Sequence, residues 1–141
     1  LAELYLNYAE ACAESGQLDE AKTYLNKVRT RAGIPTVEES WAIAGVALNQ
    51  QKLIQIVRQE RQIEFYLENQ NFWDLRRWKI AEQYFGEKPK GMGVTTNTFS
   101  SFIKPVDVNV TRSFNSPQQY LMPIPLEETN KNVNLVQNPN Y

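Results

Sequence analysis

Residues 1–35 read LAELYLNYAEACAESGQLDEAKTYLNKVRTRAGIP, and the reading of this stretch decides the fold. Glu3, Asn7, Glu10 and Glu14 recur at the 3.6-residue period of a helix. Leu4, Tyr5, Tyr8, Ala11 and Cys12 cover one flank of that polar stripe, and Ala2, Leu6, Ala9 and Ala13 the other. A helix apolar over most of its circumference has to pack on more than one side. Gly16 then tolerates the left-handed backbone of a helix end. Leu18, Ala21, Leu25, Val28 and Ala32 make a second apolar stripe that stops before Gly33 and Pro35. The spacing predicts a helical hairpin.

The hairpin fits the tetratricopeptide pattern, with Tyr5, Tyr8, Ala9 and Cys12 in its first helix, Ala21 and Leu25 in its second, and Pro35 beyond. Ala9 and Ala21 carry the most information, because small side chains let two helices approach closely. A shift of about 34 residues finds no second copy, so a single repeat is expected, with stacking partners outside this chain or diverged.

Outward from the hairpin, residues 36–49 form a connector containing Trp41, Ile43, Val46 and Leu48, with a short helix expected after Ser40 or the Glu38-Glu39 pair. Leu53, Ile56, Val57, Ile63 and Leu67 hold helical spacing without Pro or Gly and predict a third helix over 50–67. Glu60 and Glu64 lie on the same side as that stripe, so packing it requires each carboxylate to be paired. Asp74, Arg76 and Arg77, in a fourth helix expected over 72–84, are the nearest partners in sequence.

Beyond Phe85 helical periodicity gives way to Gly, Pro, Ser, Thr and Asn. Val106, Val108 and Val110 alternate with Asp107, Asn109 and Thr111, which predicts a half-buried strand, with Phe102 and Ile103 as the pairing strand and Pro105 confining the pair to an edge. Residues 120–125 and 132–141 read as an extended tail fixed to the helical body. The expected class is therefore mainly α: a tetratricopeptide-like hairpin plus further helices over 1–85, then a loop-rich part over 86–141 with a short β-hairpin.

Composition removes several functions. With 15 basic and 16 acidic side chains the formal charge is -1, so no broad positive field exists to draw nucleic acid. The chain has no histidine, which excludes His-based triads, His proton transfer and His metal sites. Cys12 is the one cysteine, and its apolar setting reads as a small buried hydrophobe and not a reactive thiol. No apolar run reaches the roughly 18 residues that cross a bilayer. The chain opens without Met and already in helical register, so it is expected to be cut from something longer, with any targeting signal upstream.

Few residues remain that could carry chemistry. Glu60 and Glu64 could act as a general acid and base, as in a glycoside hydrolase, but with Arg58 and Arg61 beside them structural ion pairing is favoured. Glu38-Glu39 and Glu127-Glu128 lack the further oxygen ligands of a calcium or magnesium site. Gly91-Met92-Gly93 lacks the continuation of a phosphate loop, and Asn109-Val110-Thr111 fits a glycosylation acceptor by pattern alone. No catalytic residue, cofactor or metal is expected. The aromatics are left: a sugar ring can lie on an exposed indole while its hydroxyls bond to nearby polar groups. Trp73 and Trp78, beside Phe72 and Leu75, are expected in the core, and Trp41 is the candidate for glycan contact.

Three separated blocks resemble the SusD/RagB family. Glu60-Arg61-Gln62-Ile63-Glu64 with Phe72-Trp73-Asp74-Leu75-Arg76-Arg77-Trp78 is similar to its internal signature. Tyr120-Leu121-Met122-Pro123-Ile124-Pro125, Glu128 and Asn134-Leu135-Val136-Gln137-Asn138-Pro139-Asn140-Tyr141 resemble its ending, and residues 3–11 its last tetratricopeptide-like hairpin. Asn69-Gln70-Asn71 departs from the Gly-His-Arg-like run usual in the family, so one charge of the expected ion network is missing near Glu64 and Asp74.

The resemblance implies a mainly helical surface lipoprotein of the outer membrane of Bacteroidetes-type bacteria. Such a protein binds oligosaccharide without catalysis and delivers it to a SusC-like TonB-dependent transporter. It also implies that residues 1–141 are one C-terminal segment of that protein, that the lipid anchor lies outside this chain, and that most glycan contacts come from upstream. The alternative that the hairpin alone supports is a helical-repeat module for protein interaction.

Overall fold

The computed structural model describes residues 1–45, 47–94 and 98–141, and of Ser101 the backbone alone. Val46, one of the connector's apolar residues, lies outside the described residues. The chain forms two compact units, 1–71 and 72–141.

In the first unit α1 (Ala2–Glu14) and α2 (Leu18–Arg31) make the expected hairpin. Both helices end in the same way. Gly16 at φ 83° lets Gln17 N donate to Cys12 O at 2.8 Å and Gly16 N to Ala13 O at 3.3 Å. At Gly33, φ 72°, Ile34 N donates to Arg29 O at 3.1 Å and Gly33 N to Thr30 O at 3.0 Å. Each glycine thus closes a Schellman motif, which satisfies carbonyls the helix leaves open and turns the chain sharply. The tetratricopeptide alanines Ala9 and Ala21 are fully buried, together with Leu6, Ala13 and Leu25.

Thr36 starts α3 (Val37–Ala44) as a reciprocal capping box, accepting from Glu39 N while Glu39 Oε2 accepts from Thr36 N at 2.8 Å. The helix begins before the Glu38-Glu39 pair, because the cap fixes its start. Asn49 caps α4 (Gln50–Glu64) by accepting from Lys52 N at 2.9 Å. Leu53 and Val57 of α4 enter the core with Val37 and Phe65.

The predicted third helix is too long at its C-terminal end. It stops at Glu64, the chain turns, and Leu67 takes φ 67°. Ile63 and Leu67, expected on the buried stripe, are 63% and 85% exposed, while Glu60 and Arg61 take the buried positions.

The second unit follows from Phe72. The expected fourth helix is broken into α5 (Gln70–Arg77) and α6 (Ala81–Gly86). Lys79 at φ 55° separates them, with Ile80 N bonded to Leu75 O at 3.0 Å and Lys79 N to Arg76 O at 3.0 Å. This is the same helix stop as at Gly16 and Gly33, made by a residue that does not advertise it.

The strand pair is also rearranged. β1 (Lys90–Met92) and β2 (Pro105–Asp107) run antiparallel with Gly91 opposite Val106, and Phe102 belongs instead to the short helix α7 (Phe99–Phe102). Pairing at Gly91 is close: a β-carbon there would come within 2.9 Å of Val108 Cγ2. β2 is exposed along its length, not half-buried.

A 3₁₀ turn (Gln118–Tyr120) and α8 (Leu126–Lys131), which carried no clear sequence signal, precede the tail. That tail is fixed to residues 118–124 through its side chains. Gln137 accepts from Ile124 N and donates to Ile124 O, both at 2.8 Å, Asn138 Nδ2 donates to Met122 O at 2.6 Å, and Tyr141 Oη donates to Leu121 O at 3.0 Å. Side-chain amides here do what a neighbouring strand would do for an extended segment.

Among the described residues of this unit the buried apolar side chains are Leu75 and Ala81, and arginine–aromatic stacking supplies much of the rest. Arg76 Cζ lies 3.6 Å from the Phe72 ring centre and 5.5 Å from that of Phe114. Phe114 is stacked on Phe85 at 6.0 Å, and Arg112 covers Tyr84 and Phe85 at 5.3 and 5.6 Å. Backbone carbonyls hold the guanidiniums in place: Phe72 O and Gln119 O for Arg76, Tyr84 O and Glu87 O for Arg112.

The capping box has a pH signature. Hydrogen bonds from the Thr36 backbone N–H, and then from its hydroxyl, hold the Glu39 carboxyl below its ordinary value. A group whose folded pKa is depressed contributes stability above its unfolded pKa and loses it as pH falls through the folded one. Thermal unfolding of wild type and Glu39→Gln is therefore expected to differ at about pH 7, with the gap closing below about pH 4. A gap constant across that range would contradict the box.

Candidate functional site

Helix α4 carries charge of both signs toward the hairpin, and the signs sort by partner. Its acids meet α2: Glu60 pairs with Arg29 and Glu64 with Arg31. Its bases meet α1: Arg61 Nε is 3.5 Å from Glu10 Oε2, and Arg58 Nη2 is 3.1 Å from Glu14 Oε1. Arg61 also donates to Asn7 Oδ1, and Gln50 Nε2 donates to Ala13 O at 2.9 Å and Glu14 O at 3.1 Å.

Arg29 is the centre of this ladder. Besides Glu60 its guanidinium donates to Pro35 O at 2.8 Å and to Ser40 Oγ at 2.9 Å, so one side chain joins α2, the turn after it, α3 and α4. The expectation that Glu60 and Glu64 are paired holds, but the partners are not Asp74, Arg76 and Arg77. The arginines of α2 take those carboxylates because α4 packs alongside α2 in the same chain direction, which sets Arg29 against Glu60 and Arg31 against Glu64. Asp74 is buried and accepts from Arg77 Nε at 2.8 Å. Both acids next to the atypical Asn69-Gln70-Asn71 run thus have guanidinium partners.

Glu60 and Glu64 each pair with an arginine of α2, an arrangement of structural ion pairs. The other candidates resolve as structural too. Glu39 belongs to the capping box, Glu38 accepts from Asn26 Nδ2 at 2.8 Å, and Glu128 pairs with Lys131 at 2.9 Å. Among the described residues no group of three or more acids or cysteines is placed to hold a metal ion. Cys12 is buried in the hairpin core, and Gly91-Met92 forms part of β1. Asn109 is exposed.

The tryptophans separate differently from the expectation. Trp73, assigned to the core from its neighbours in sequence, is 55% exposed and stands edge-on to Phe72 at 4.9 Å, since α5 turns Asp74 and Leu75 inward instead. Trp78 is half-buried beneath Arg77, whose Cζ is 4.8 Å from the ring. Trp41 sits half-buried on α3, and its Nε1 is buried without a hydrogen-bond partner among the described residues.

A groove between α1 and α2 escaped the sequence reading. Tyr5, Thr23, Asn26, Lys27, Thr30 and Arg31 line an open space of about 550 Å³. Lys27 Nζ rests 3.9 Å from the centre of the Tyr24 ring and 5.0 Å from that of Tyr5. Tyr5, Tyr8 and Tyr24 brace one another edge-on. The i, i+3 spacing of Tyr24 and Lys27 is a legible signal for this arrangement; the approach of Tyr5 from another helix is not.

The ladder ranks its own members. The Arg29–Glu60 side chains are 12% and 11% exposed, against 58% and 21% for Arg31–Glu64. Glu60→Ala should lower stability by about 3 kcal/mol, as for a stranded buried charge, and Glu64→Ala by no more than about 1 kcal/mol. Equal costs in denaturant titration would remove the ladder as the organiser of this unit.

The SusD family model matches residues 1–141. The chain is 31% identical to SusD-like protein P2 of Formosa agariphila over 99% of its own length and 25% of that protein. Among solved structures, a SusD-like protein of Bacteroides fragilis superposes with a TM-score of 0.75 at 32% identity, covering 99% of this chain and 25% of that one. A second B. fragilis structure, described as a SusD-like carbohydrate binding protein, gives a TM-score of 0.70 at 31% identity over 96% of this chain and 27% of its own. The chain thus spans about a quarter of the length of the relatives it matches. With a mainly helical fold, a two-stranded antiparallel sheet and Glu60, Arg61 and Glu64 seated in the ladder, the chain belongs to the SusD family.

Proposed function

We propose that this chain is a single C-terminal segment of a glycan-capturing protein that breaks no bond, and that its helical hairpin and ladder are scaffold for that protein. The observation carrying this reading is family membership over the whole chain, with a relative described as carbohydrate binding at 31% identity. The pairing of Glu60 and Glu64 with Arg29 and Arg31 favours binding over hydrolysis, since it spends the acids a glycosidase would need.

The finer picture follows the same resemblance. The protein would sit at the cell surface of the outer membrane, held by a lipid outside this chain, and pass oligosaccharide to a SusC-like TonB-dependent transporter for nutrient uptake. No described helix is long and apolar enough to cross a membrane, which is compatible with a lipid anchor. Recognition would come from aromatic stacking and hydrogen bonds to sugar hydroxyls on a preformed surface.

Within this chain Trp41 is the aromatic proposed for glycan contact. The intact protein is expected to retain oligosaccharides on an array and to release no reducing ends. Trp41→Ala should weaken the best ligand by roughly tenfold if its indole stacks on a sugar, a loss of about 1.4 kcal/mol. Unchanged affinity would clear Trp41, and product formation would overturn the reading as a binder.

A further inference from the structure

Resting on that glycan-binding reading, we propose that the groove between α1 and α2 is a binding site for an anionic sugar, one bearing carboxylate or sulfate. The observation behind it is an ammonium group with a fixed position and no counter-charge. The other cations of α2 are paired: Lys22 lies 2.6 Å from Asp19, Arg29 pairs with Glu60 and Arg31 with Glu64. Lys27 has no carboxylate within salt-bridge distance among the described residues.

What holds Lys27 is aromatic. The faces of Tyr24 and Tyr5 attract its ammonium through their quadrupoles and limit its wandering, but they leave its full charge in place. The result is a preorganised cation at the wall of a groove whose volume, about 550 Å³, falls in the range of small-molecule sites. The carboxylates that reach the lining residues are occupied, Glu64 by Arg31 and Glu38 by Asn26 and Lys22.

The remaining wall suits a saccharide. Asn26 is occupied by Val37 N and Glu38, and the Thr23 hydroxyl by Asp19 O. The hydroxyls of Thr30 and Tyr5 remain to meet sugar hydroxyls, and the Tyr5 ring supplies apolar surface for a C–H face. An acidic peptide would also be drawn by Lys27. It would, however, need backbone partners, and the backbone lining this groove is helical and hydrogen-bonded to itself. A neutral sugar would leave the charge unused, whereas an anionic one gains a charge-assisted hydrogen bond.

The test is calorimetric titration of the intact protein with an oligogalacturonate, a sulfated oligosaccharide, a neutral oligosaccharide of equal length and a glutamate-rich peptide. At least one anionic sugar should bind more tightly than the neutral one. Lys27→Gln should weaken that sugar by roughly 5- to 10-fold, Lys27→Arg by no more than about twofold, and added salt should reproduce the loss. The two anionic arms separate carboxylate from sulfate as the recognised group. Anionic binding that Lys27→Gln leaves unchanged, binding of neither anionic sugar, or Lys27-dependent binding of the peptide without either sugar would each overturn the proposal. If anionic sugars fail while other glycans on the array still bind, this site alone is refuted. If no saccharide binds, the broader reading falls with it.

Discussion

The Arg29 guanidinium is the constraint from which the first unit takes its geometry. A planar cation with donors on fixed vectors meets the Glu60 carboxylate, the Pro35 carbonyl and the Ser40 hydroxyl, which come from three different places in the chain. Apolar burial of Leu6, Leu25, Leu53 and Val57 supplies the bulk of the driving force but tolerates sliding, because one methyl group is much like another. A fork of N–H groups does not tolerate it. If α4 slips by one turn against α2, Glu60 leaves Arg29 and two buried charges are left unpaired.

The sorting of signs along α4 extends that argument. Acids toward α2 and bases toward α1 mean that exchanging the two hairpin helices would set like charges against each other. The ladder thus selects one arrangement among several that would bury similar apolar area, the role for which buried polar groups are best attested. It gives Glu60, Glu64, Arg29 and Arg31 an architectural role.

The two units solve stability by different means. The first has a largely aliphatic core drawn from four helices, with Phe65 beside them. The second buries Leu75 and Ala81 and otherwise relies on arginines lying across aromatic faces, with Gln137, Asn138 and Tyr141 closing the tail. Stacking of that kind is adaptable in outline and specific in geometry, which suits a segment poor in regular hydrogen-bond ladders.

The sequence by itself determined the hairpin, its ends at Gly16 and Gly33, the helical class, the chemistry excluded by having no histidine, and the need for Glu60 and Glu64 to be paired. Those properties are local: helix period, left-handed tolerance of glycine and the cost of an unpaired charge all act within a few residues. Tertiary structure alone decided that Arg29 and Arg31 are the partners, that β1 pairs with β2, that Lys79 breaks the fourth helix, and that Trp73 faces outward. Each of these depends on which distant segment arrives alongside, or on a non-glycine residue accepting a left-handed backbone, and neither leaves a periodic trace. The lysine lodged over Tyr5 and Tyr24 belongs to the same class, because only the packing of α1 on α2 brings its rings together.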